Sequence, residues 1–394
     1  MTFETCKKKK RFVNLEICDM IPLFRSMILM IIKSVRWMRK IIVAGHTCVD
    51  LIPEWNGKFE DIAPGHLIVT GKMRFSAGGA VPNTGVALKR LGLDPILIGK
   101  IGNDLIGKIT LEVIKSNGEN LIDHMIRSAK ADSSYTLVFS PPNVDRAFFH
   151  YPGANDTFCA KDVPLDDLNG RILHFGYPPL MKKIYENNGN ELVKIFQNAH
   201  NRKMITSLDM TMPDPKSDAG KIDWRRFLSN VLPYTDIFLP SLDEILYMMK
   251  TEETLSHELL IDLTDELLDL GAKIVVIKLG KNGVYLRSGK INSHELISNV
   301  VEAREWSEIE LFSPAFKTKV VGTTGAGDAS IAGFLAKFVE GTEPKRTLDF
   351  MCAVGAFCTE AIDSTSGIKS MKEVEERIKR GWERLPSDSH LKRI

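Results

Sequence analysis

The sequence predicts an α/β fold: a doubly wound, mostly parallel sheet flanked by helices, with a small additional β-sheet. Short segments rich in Ile, Val and Leu recur along the chain from residue 41 onward. They are almost continuously apolar, which is typical of strands covered on both faces. Amphipathic helical patterns separate several of them, as expected for strand–helix–strand units. Two segments, about 51–76 and 133–151, break this alternation with extended, turn-punctuated sequence, and we expect them to form a small sheet that acts as a lid.

Each element follows from these patterns. The predicted strands are 41–45, 95–101, 171–175, 203–209, 236–240, 273–279 and 316–321. The predicted helices include 80–91, 104–117, 182–201 and 254–270.

Composition narrows the class of protein. The chain has 394 residues, of which 44% are hydrophobic and 26% charged, as in soluble globular proteins. A net charge of +2 gives no electrostatic reason to expect nucleic acid as a partner. The six cysteines form no CxxC pair and no zinc-binding spacing. We therefore expect reduced thiols in a cytoplasmic protein.

The first 37 residues are unlike the rest. They contain "KKKKR" and "MIPLFRSMILMII", which superficially resemble a signal peptide. Arg25 interrupts the apolar run, which is too short to span a bilayer, so no membrane partner is expected. We interpret 1–37 as an extension upstream of a domain at 38–385, with 386–394 as a tail. A surface helix and a targeting segment are the alternatives for 1–37.

One stretch predicts chemistry: "KVVGTTGAGDASIAGFLAKF" (319–338). Gly325, Ala326 and Gly327 would lie at a helix N-terminus, where free N–H groups and the helix dipole favour an anion. Asp328 would be repelled by a bound phosphate, so its presence needs a reason. A general base beside a transferred phosphoryl group supplies one. The alternative is that Asp328 only complements the helix dipole.

Several motifs resemble the ribokinase, or PfkB-type, carbohydrate kinase family. "TTGAGDASIAGFL" (323–335) is similar to its C-terminal signature and "GGAVPNTGVALKRLG" (78–92) to its N-terminal one. "VAGHTCVD" (43–50), "IGKIGNDLIG" (98–107) and "VVIKLGKNGVYL" (275–286) follow the same order. The similarity covers about residues 38–380. It implies phosphoryl transfer from ATP, with Mg²⁺, to a sugar-like hydroxyl.

The resemblance also implies roles for single residues. Asp328 would be the base, and the amides of 325–327 would form the anion hole. The acceptor would contact Asp50, Gly78, Gly79 and Asn83, although a turn or cap also explains an aspartate like Asp50. The nucleotide would contact Lys278, Gly280, Gly283 and Thr324, although a simple hairpin turn accounts for both glycines. Glu244 would assist the metal.

Two positions depart from the family pattern. Ser241 stands where the family usually has the Asn of Asn-x-x-Glu, which puts that contact with the metal-bound phosphates in doubt. Gly322 stands where the family commonly has an Asp that helps hold a monovalent cation, so little response to potassium is expected. A rival motif, "GNDLIGKI" (102–109), nearly spells a Walker A loop, but Ile109 replaces the hydroxyl that would hold Mg²⁺.

The sequence says least about the identity of the acceptor molecule. Its specificity would come from the lid and from "FFHYPGANDTF" (148–158), with His150, Tyr151 and Asn155 as polar candidates and a structural role equally open for each. These stretches hold no arginine cluster, which favours a neutral sugar. A nucleoside kinase of the same fold and a catalytically silent sugar- or nucleotide-binding regulator are the alternatives. A homodimer through the lid is also expected from the resemblance.

Overall fold

A computed structural model describes residues 39–141, 146–386 and 391. The interpretation of residues 1–37 as an extension lies outside the described residues, as does most of the tail at 386–394.

Fourteen strands are present in the described residues. In chain order they are β1 (Ile41–Gly45), β2 (Cys48–Pro53), β3 (Met73–Gly78), β4 (Ile96–Ile98), β5 (Lys100–Gly102), β6 (Ile126–Ser128), β7 (Tyr135–Phe139), β8 (Ala147–Tyr151), β9 (Ile172–Gly176), β10 (Ile205–Asp209), β11 (Ile237–Phe238), β12 (Ile274–Lys278), β13 (Val284–Ser288) and β14 (Glu310–Ser313).

Helices connect and cover these strands. The α-helices are α1 (Ala80–Arg90), α2 (Leu105–Lys115), α3 (Lys182–Tyr185), α4 (Asn190–Asn201), α5 (Trp224–Val231), α6 (Leu242–Met249), α7 (His257–Asp269), α8 (Glu295–Ser298), α9 (Ala303–Trp306), α10 (Ala326–Val339), α11 (Pro344–Thr359) and α12 (Met371–Lys379).

The central sheet has eight strands in the order β14-β13-β12-β11-β10-β9-β1-β4. Its pairs from β4 to β12 are parallel, and β13 and β14 add an antiparallel edge. The order places β1 between β4 and β9, where the winding of the chain reverses. In such sheets, ligands bind at the carboxyl ends of the strands beside this reversal.

The predicted small sheet is confirmed. Its order is β3-β2-β7-β8, with β2 antiparallel to β3 and parallel to β7, and β7 antiparallel to β8. Asp50 pairs with Thr136, which pairs with His150, so these three side chains share one face of the sheet. Residues 142–145 of the predicted turn between β7 and β8 lie outside the described residues.

Both faces of the central sheet are buried, as the apolar strands predict. Ile41 and Val43 of β1 pack into one core with α10 and α11, while Ile42 and Ala44 pack into a second core. Gly333 allows α10 to approach α11 closely, since a Cβ there would lie 3.0 Å from Val354 Cγ2. The two helices therefore pack against each other through a position without a side chain.

The predicted strand at 316–321 is wrong. Only Phe316 forms an isolated bridge, with Arg384, and Val320 and Val321 are 61% and 53% exposed. The sheet ends instead at β14, and Phe316 stacks on Trp382 at 4.6 Å between ring centroids. Apolar content alone suggested a strand here, but no neighbouring strand pairs with the segment.

One predicted strand is divided in the structure. The predicted strand 95–101 is two strands, because the chain passes from β4 in the central sheet to β5, which pairs with β6, at Gly99. Among the described residues, no helix combines the length and apolar character needed to cross a lipid bilayer.

A matched pair of leucines tests the core. Leu335 of α10 is fully buried, whereas Leu105 at the start of α2 is 70% exposed. Leu335→Ala should lower the free energy of unfolding by about 2–5 kcal/mol, since it leaves a cavity. Leu105→Ala should change it by less than about 0.5 kcal/mol. Urea denaturation measures both, and equal losses would contradict this placement of α10.

Candidate active site

The N-terminus of α10 is built as the sequence predicts. Gly325 caps the helix with a left-handed backbone (φ 73°), and a Cβ there would lie 2.4 Å from Ser364 Cβ. Only glycine suits both constraints. The N–H groups of the first turn have no acceptor within the helix. The Ala326 N–H is less available to a ligand than the other N–H groups of this turn, because it donates a hydrogen bond to the Thr323 carbonyl at 3.3 Å.

Asp328 is 2% exposed and is held by three side chains. Its Oδ2 accepts hydrogen bonds from Asn83 Nδ2 at 3.0 Å and from the Tyr177 hydroxyl at 2.8 Å. Its Oδ1 lies 3.5 Å from the Thr84 hydroxyl. Burial raises the pKa of Asp328 to about 6, against the lowering effect of the Tyr177 hydrogen bond. At neutral pH the group is therefore mostly a carboxylate that can accept a proton.

Tyr177 was missed by sequence reasoning. It follows β9 directly and adopts a left-handed backbone (φ 65°, ψ 48°), which is uncommon for a bulky residue and is concentrated at functional sites. Its hydroxyl reaches Asp328 from the carboxyl end of the neighbouring strand. A polar residue immediately after a predicted parallel strand was the available signal.

Lys278 pairs with a second carboxylate that was not predicted. Its Nζ lies 2.7 Å from Asp209 Oδ1; Asp209 is buried and the Lys278 side chain is 12% exposed. Burial raises the pKa of Asp209 well above its usual range, and nearby Glu244 and Asp328 add to the rise. Burial alone would lower the pKa of Lys278, but the three carboxylates outweigh it and raise that pKa. The site therefore brings one ammonium group and three carboxyl groups close together.

Ser241 and Glu244 form a reciprocal cap on α6. Glu244 Oε2 accepts from the Ser241 N–H at 2.7 Å, and Ser241 Oγ accepts from the Glu244 N–H at 3.4 Å. This is a capping box. The Ser that departs from the family pattern therefore orients Glu244, which lines the cavity described next.

A cavity of about 600 Å³ opens beside the N-terminus of α10. Polar residues from the carboxyl ends of four strands line it: Tyr177, Asp209, Ser241 and Lys278. Its lining also includes the apolar residues Leu255, Leu279, Val284, Phe316 and Ala356. The volume suits a nucleotide-sized ligand. We call this space the large cavity.

Gly280 and Gly283 both line the large cavity. Both have positive φ, at 57° and 107°, and a Cβ on Gly283 would lie 2.0 Å from the Ser313 carbonyl oxygen. Gly283 is therefore required by the turn, whereas Gly280 faces open space. Gly327 also lies at the cavity, where a Cβ would sit 3.6 Å from Lys278 Nζ.

A second group of polar side chains lies on the other side of Asp328. We call it the polar cluster: His46, Thr47, Asp50, Asn83 and His150. Burial raises the pKa of Asp50 to about 7, so its carboxyl can donate or accept a hydrogen bond near neutral pH. Gly78 leaves room for Asp50, since a Cβ would lie 2.3 Å from its Oδ1.

Several polar atoms of this cluster are buried without a hydrogen-bond partner among the described residues. They are His46 Nδ1 and Nε2, Thr47 Oγ1, Asn83 Oδ1 and His150 Nε2. Gly79 (φ 87°) admits the His46 ring, because a Cβ there would lie 2.5 Å from Nδ1. Buried polar atoms without partners are costly, so this space is suited to a polar ligand.

Two of the specificity candidates lie away from this space. Asn155 is fully buried and bonds the backbone of Thr47 through both Oδ1 and Nδ2, at 3.0 Å each. It holds the turn between β1 and β2. Tyr151 lies on the opposite face of β8 from His150, is 41% exposed and stacks against Tyr135.

Arg146 was also missed. It stands immediately before β8 and donates hydrogen bonds to the hydroxyls of Thr323, at 2.9 Å, and Thr324. Thr324, which was predicted to contact the nucleotide, thus accepts a hydrogen bond from a residue at the start of the small sheet's strand β8. Gly322 has no room for a carboxylate: a Cβ would lie 2.8 Å from the Ala361 carbonyl oxygen.

In the motif at 102–109 that resembles a Walker A loop, the side chain of Asp104 binds the N–H groups that would face a phosphate. Asp104 accepts hydrogen bonds from the Gly107 N–H at 2.7 Å and the Ser133 N–H at 2.6 Å. A carboxylate therefore fills the place that a phosphate would take in a Walker A loop.

Solved structures share this architecture. The chain matches Arabidopsis thaliana ribokinase complexed with ribose and ATP with a TM-score of 0.67, 20% identity and coverage of 86% of this chain and 98% of the other. The Methanocaldococcus jannaschii nucleoside kinase matches with a TM-score of 0.65, 20% identity and coverage of 87% and 98%. The fold is therefore ribokinase-like.

Sequence comparisons identify the family, among proteins with the ribokinase-like fold, to which the chain belongs. The family model for the pfkB family carbohydrate kinases matches residues 38–371, and the chain belongs to that family. An uncharacterized sugar kinase of Archaeoglobus fulgidus is 28% identical over 287 residues, which cover 72% of this chain and 98% of the relative. A nucleoside kinase of Methanothermobacter thermautotrophicus is 24% identical over 348 residues, covering 87% and 97%.

The hydrogen bond between Tyr177 and Asp328 can be tested directly. Tyr177→Phe removes a donor to the carboxylate, so the pKa of Asp328 should rise. Hydrogen bonds to charged groups contribute about 1.5–3 kcal/mol, or roughly one to two pKa units. Side-chain ¹³C NMR of labelled aspartate measures this shift. Tyr185→Phe, a buried tyrosine of α3, is the control, and an unchanged Asp328 titration in Tyr177→Phe would contradict the contact.

Proposed function

We propose that the protein transfers a phosphoryl group from ATP to a hydroxyl of a neutral sugar, with Asp328 as the general base. One observation carries the proposal. Asp328 is buried and accepts hydrogen bonds from Tyr177, which lines the large cavity, and from Asn83, which belongs to the polar cluster. A group in this position can contact both a nucleotide and an acceptor.

The proton transfer follows from the state of Asp328. With a pKa of about 6, its carboxylate is available at neutral pH and close enough in basicity to take a hydroxyl proton. Asn83 and Tyr177 hold Oδ2, which leaves Oδ1, whose contact with Thr84 is long at 3.5 Å, as the atom that receives the proton.

The N-terminus of α10 would stabilise the charge that develops on the transferred group. The N–H groups of Gly327 and Asp328 have no acceptor within the helix, and the helix dipole adds to their effect. Lys278 faces the same point, since its Nζ lies 3.6 Å from where a Cβ of Gly327 would be. Preorganised donors of this kind supply much of the catalysis in phosphoryl transfer.

The carboxylates around the large cavity fit a divalent cation. Asp209 Oδ2 is buried without a hydrogen-bond partner among the described residues, and Glu244 is oriented by its cap on Ser241. Hard oxygen ligands of this type suit Mg²⁺, which would neutralise phosphate charge. We therefore propose Glu244 and Asp209 as the residues that orient it, directly or through water.

The polar cluster supports a neutral, polyhydroxylated acceptor. Its unpaired atoms include nitrogen and oxygen atoms that can accept hydrogen bonds from hydroxyls, and Asp50 can do so as well. A nucleoside is the second candidate, because Phe148 lies on the same face of β8 as His150 and is 54% exposed, where it could stack on a base. ADP release measured across free sugars and nucleosides distinguishes the two.

The small sheet also offers a surface for a second copy of the chain. One of its faces carries exposed apolar side chains on both edge strands: Met73 and Phe75 on β3, and Phe149 and Tyr151 on β8. Exposed apolar groups on one face can mark an interface. We propose a homodimer through this face, which sedimentation of the full chain would test.

The base is tested by Asp328→Asn, which keeps the shape but cannot take the proton. The rate constant kcat should fall by about 10²–10⁴-fold. Affinity for ATP, measured by calorimetry, should stay equal or improve, because a negative charge near the phosphates is removed.

The control is Asp123→Asn, an exposed carboxylate far along the chain from the site, which should leave both quantities unchanged. If Asp328→Asn keeps more than about a tenth of the kcat, the loss is below the range for a general base and Asp328 only complements the helix dipole. If the unaltered protein binds ATP but transfers no phosphate to any acceptor, the protein is a catalytically silent regulator and not a kinase.

A further inference from the structure

Two histidines of the polar cluster lie beside a cysteine to which the proposed reaction gives no role. His46, Cys48 and His150 each offer a ligand atom, and these atoms all lie within 4.8 Å of one another. His46 follows β1, Cys48 begins β2, and His150 is on β8, so three strands converge here. All three side chains are shielded from water: His46 and Cys48 are buried and His150 is half-buried.

The histidines present free lone pairs. Both ring nitrogens of His46 and Nε2 of His150 are buried without a hydrogen-bond partner among the described residues. Burial lowers the pKa of His46 well below its usual value and that of His150 to about 4, so both rings are neutral at pH 7. A neutral imidazole is the form that binds a metal ion.

His150 is also oriented as metal-binding histidines are. Its Nδ1 lies 3.1 Å from the Thr136 hydroxyl, which fixes the ring and leaves Nε2 directed away. The same hydroxyl lies 3.5 Å from Cys48 Sγ. Ligating histidines almost always engage their second nitrogen in this way.

We propose that His46, Cys48 and His150 bind one Zn²⁺ ion, with Asp50 as the fourth ligand. Two imidazoles and a thiolate form a ligand set that suits Zn²⁺ and disfavours Mg²⁺. Asp50 Oδ1 lies 3.7 Å from Cys48 Sγ, and ligand atoms on one tetrahedral Zn²⁺ are about 3.3–3.6 Å apart. The ligand atoms of His46, Cys48 and His150 lie within 4.8 Å of one another, so they would have to move together by about 1–1.5 Å, which side-chain rotation supplies.

Binding would have two consequences. The Cys48 thiol, whose pKa burial raises well above its usual value, would release its proton to solvent as the ion binds. The ion would also join β8 to the turn after β1 and would occupy Asp50 and His46, which belong to the polar cluster. Zn²⁺ should therefore inhibit in competition with the acceptor, a consequence that rests on the proposed function.

Metal binding is measured independently of activity. The full chain, stripped with a chelator and dialysed against Zn²⁺, should retain one ion per chain with micromolar affinity or better. Replacement with Co²⁺ should give the intense visible absorption of a tetrahedral site and a thiolate charge-transfer band. Thr136→Val should weaken Zn²⁺ binding by about 10–100-fold, since it removes the group that orients His150. Cys48→Ser should weaken it further and abolish the charge-transfer band.

Matched controls separate this site from other thiols and imidazoles. Cys159→Ser, His66→Gln and the double variant Cys6→Ser/Cys18→Ser should each keep the stoichiometry and the Co²⁺ spectrum. An unaltered protein that retains no Zn²⁺, or a Cys48→Ser protein that binds as tightly as the unaltered one, would overturn the proposal. If Cys48→Ser does not fold, a Co²⁺ spectrum of the unaltered chain without a thiolate band overturns it instead. Zn²⁺ binding by a chain that lacks kinase activity would refute only the proposed function.

Discussion

The site depends on keeping one carboxylate out of water. Asp328 is buried at the N-terminus of α10, and an isolated carboxylate there would be costly unless hydrogen bonds replaced its hydration. Asn83 from α1 and Tyr177 from the end of β9 both donate hydrogen bonds to Asp328 Oδ2. Three separate parts of the chain must therefore meet at this oxygen atom. Gly325 and the packing of α10 against α11 fix where the helix begins. The pKa of Asp328 near 6 is the result: burial raises it, and the donors keep it from rising further.

The sequence predicted the parts of this arrangement that depend on local pattern. Apolar strands identified the parallel sheet, and the run of small residues before Asp328 identified the helix N-terminus. Asp50, Gly78 and Gly79 are placed together by the pairing of β2 with β3, which a turn-punctuated segment suggested. Gly283 and Gly325 are explained by backbone geometry alone, since each has positive φ and no space for a Cβ. Their predicted contacts with ligands remain predictions.

What the sequence could not show depends on contacts between distant segments. Tyr177 follows β9 and Asp209 ends β10, two strands with ordinary apolar sequences, and only the sheet order brings them to Asp328 and Lys278. Asn155 looked like a specificity residue, yet its amide spans the turn at Thr47. The segment 316–321 had the composition of a strand but lacked a pairing partner, which local sequence does not reveal. The antiparallel pair of β13 and β14 was not predicted, and β14 has only four residues with Glu310 and Ser313 at its ends.

The short turn between β1 and β2 has a mechanical consequence. Only His46 and Thr47 separate a central strand from the small sheet, and Gly79 alone separates β3 from α1. The backbones of His46 and Thr47 are also held by bonds to the Gly176 carbonyl and the Asn155 side chain. Asp50 lies three residues from this turn, whereas Pro53 and Met73 pair at the far ends of β2 and β3. The acidic group of the polar cluster is therefore attached to the central sheet by the shortest and most firmly bonded part of the small sheet.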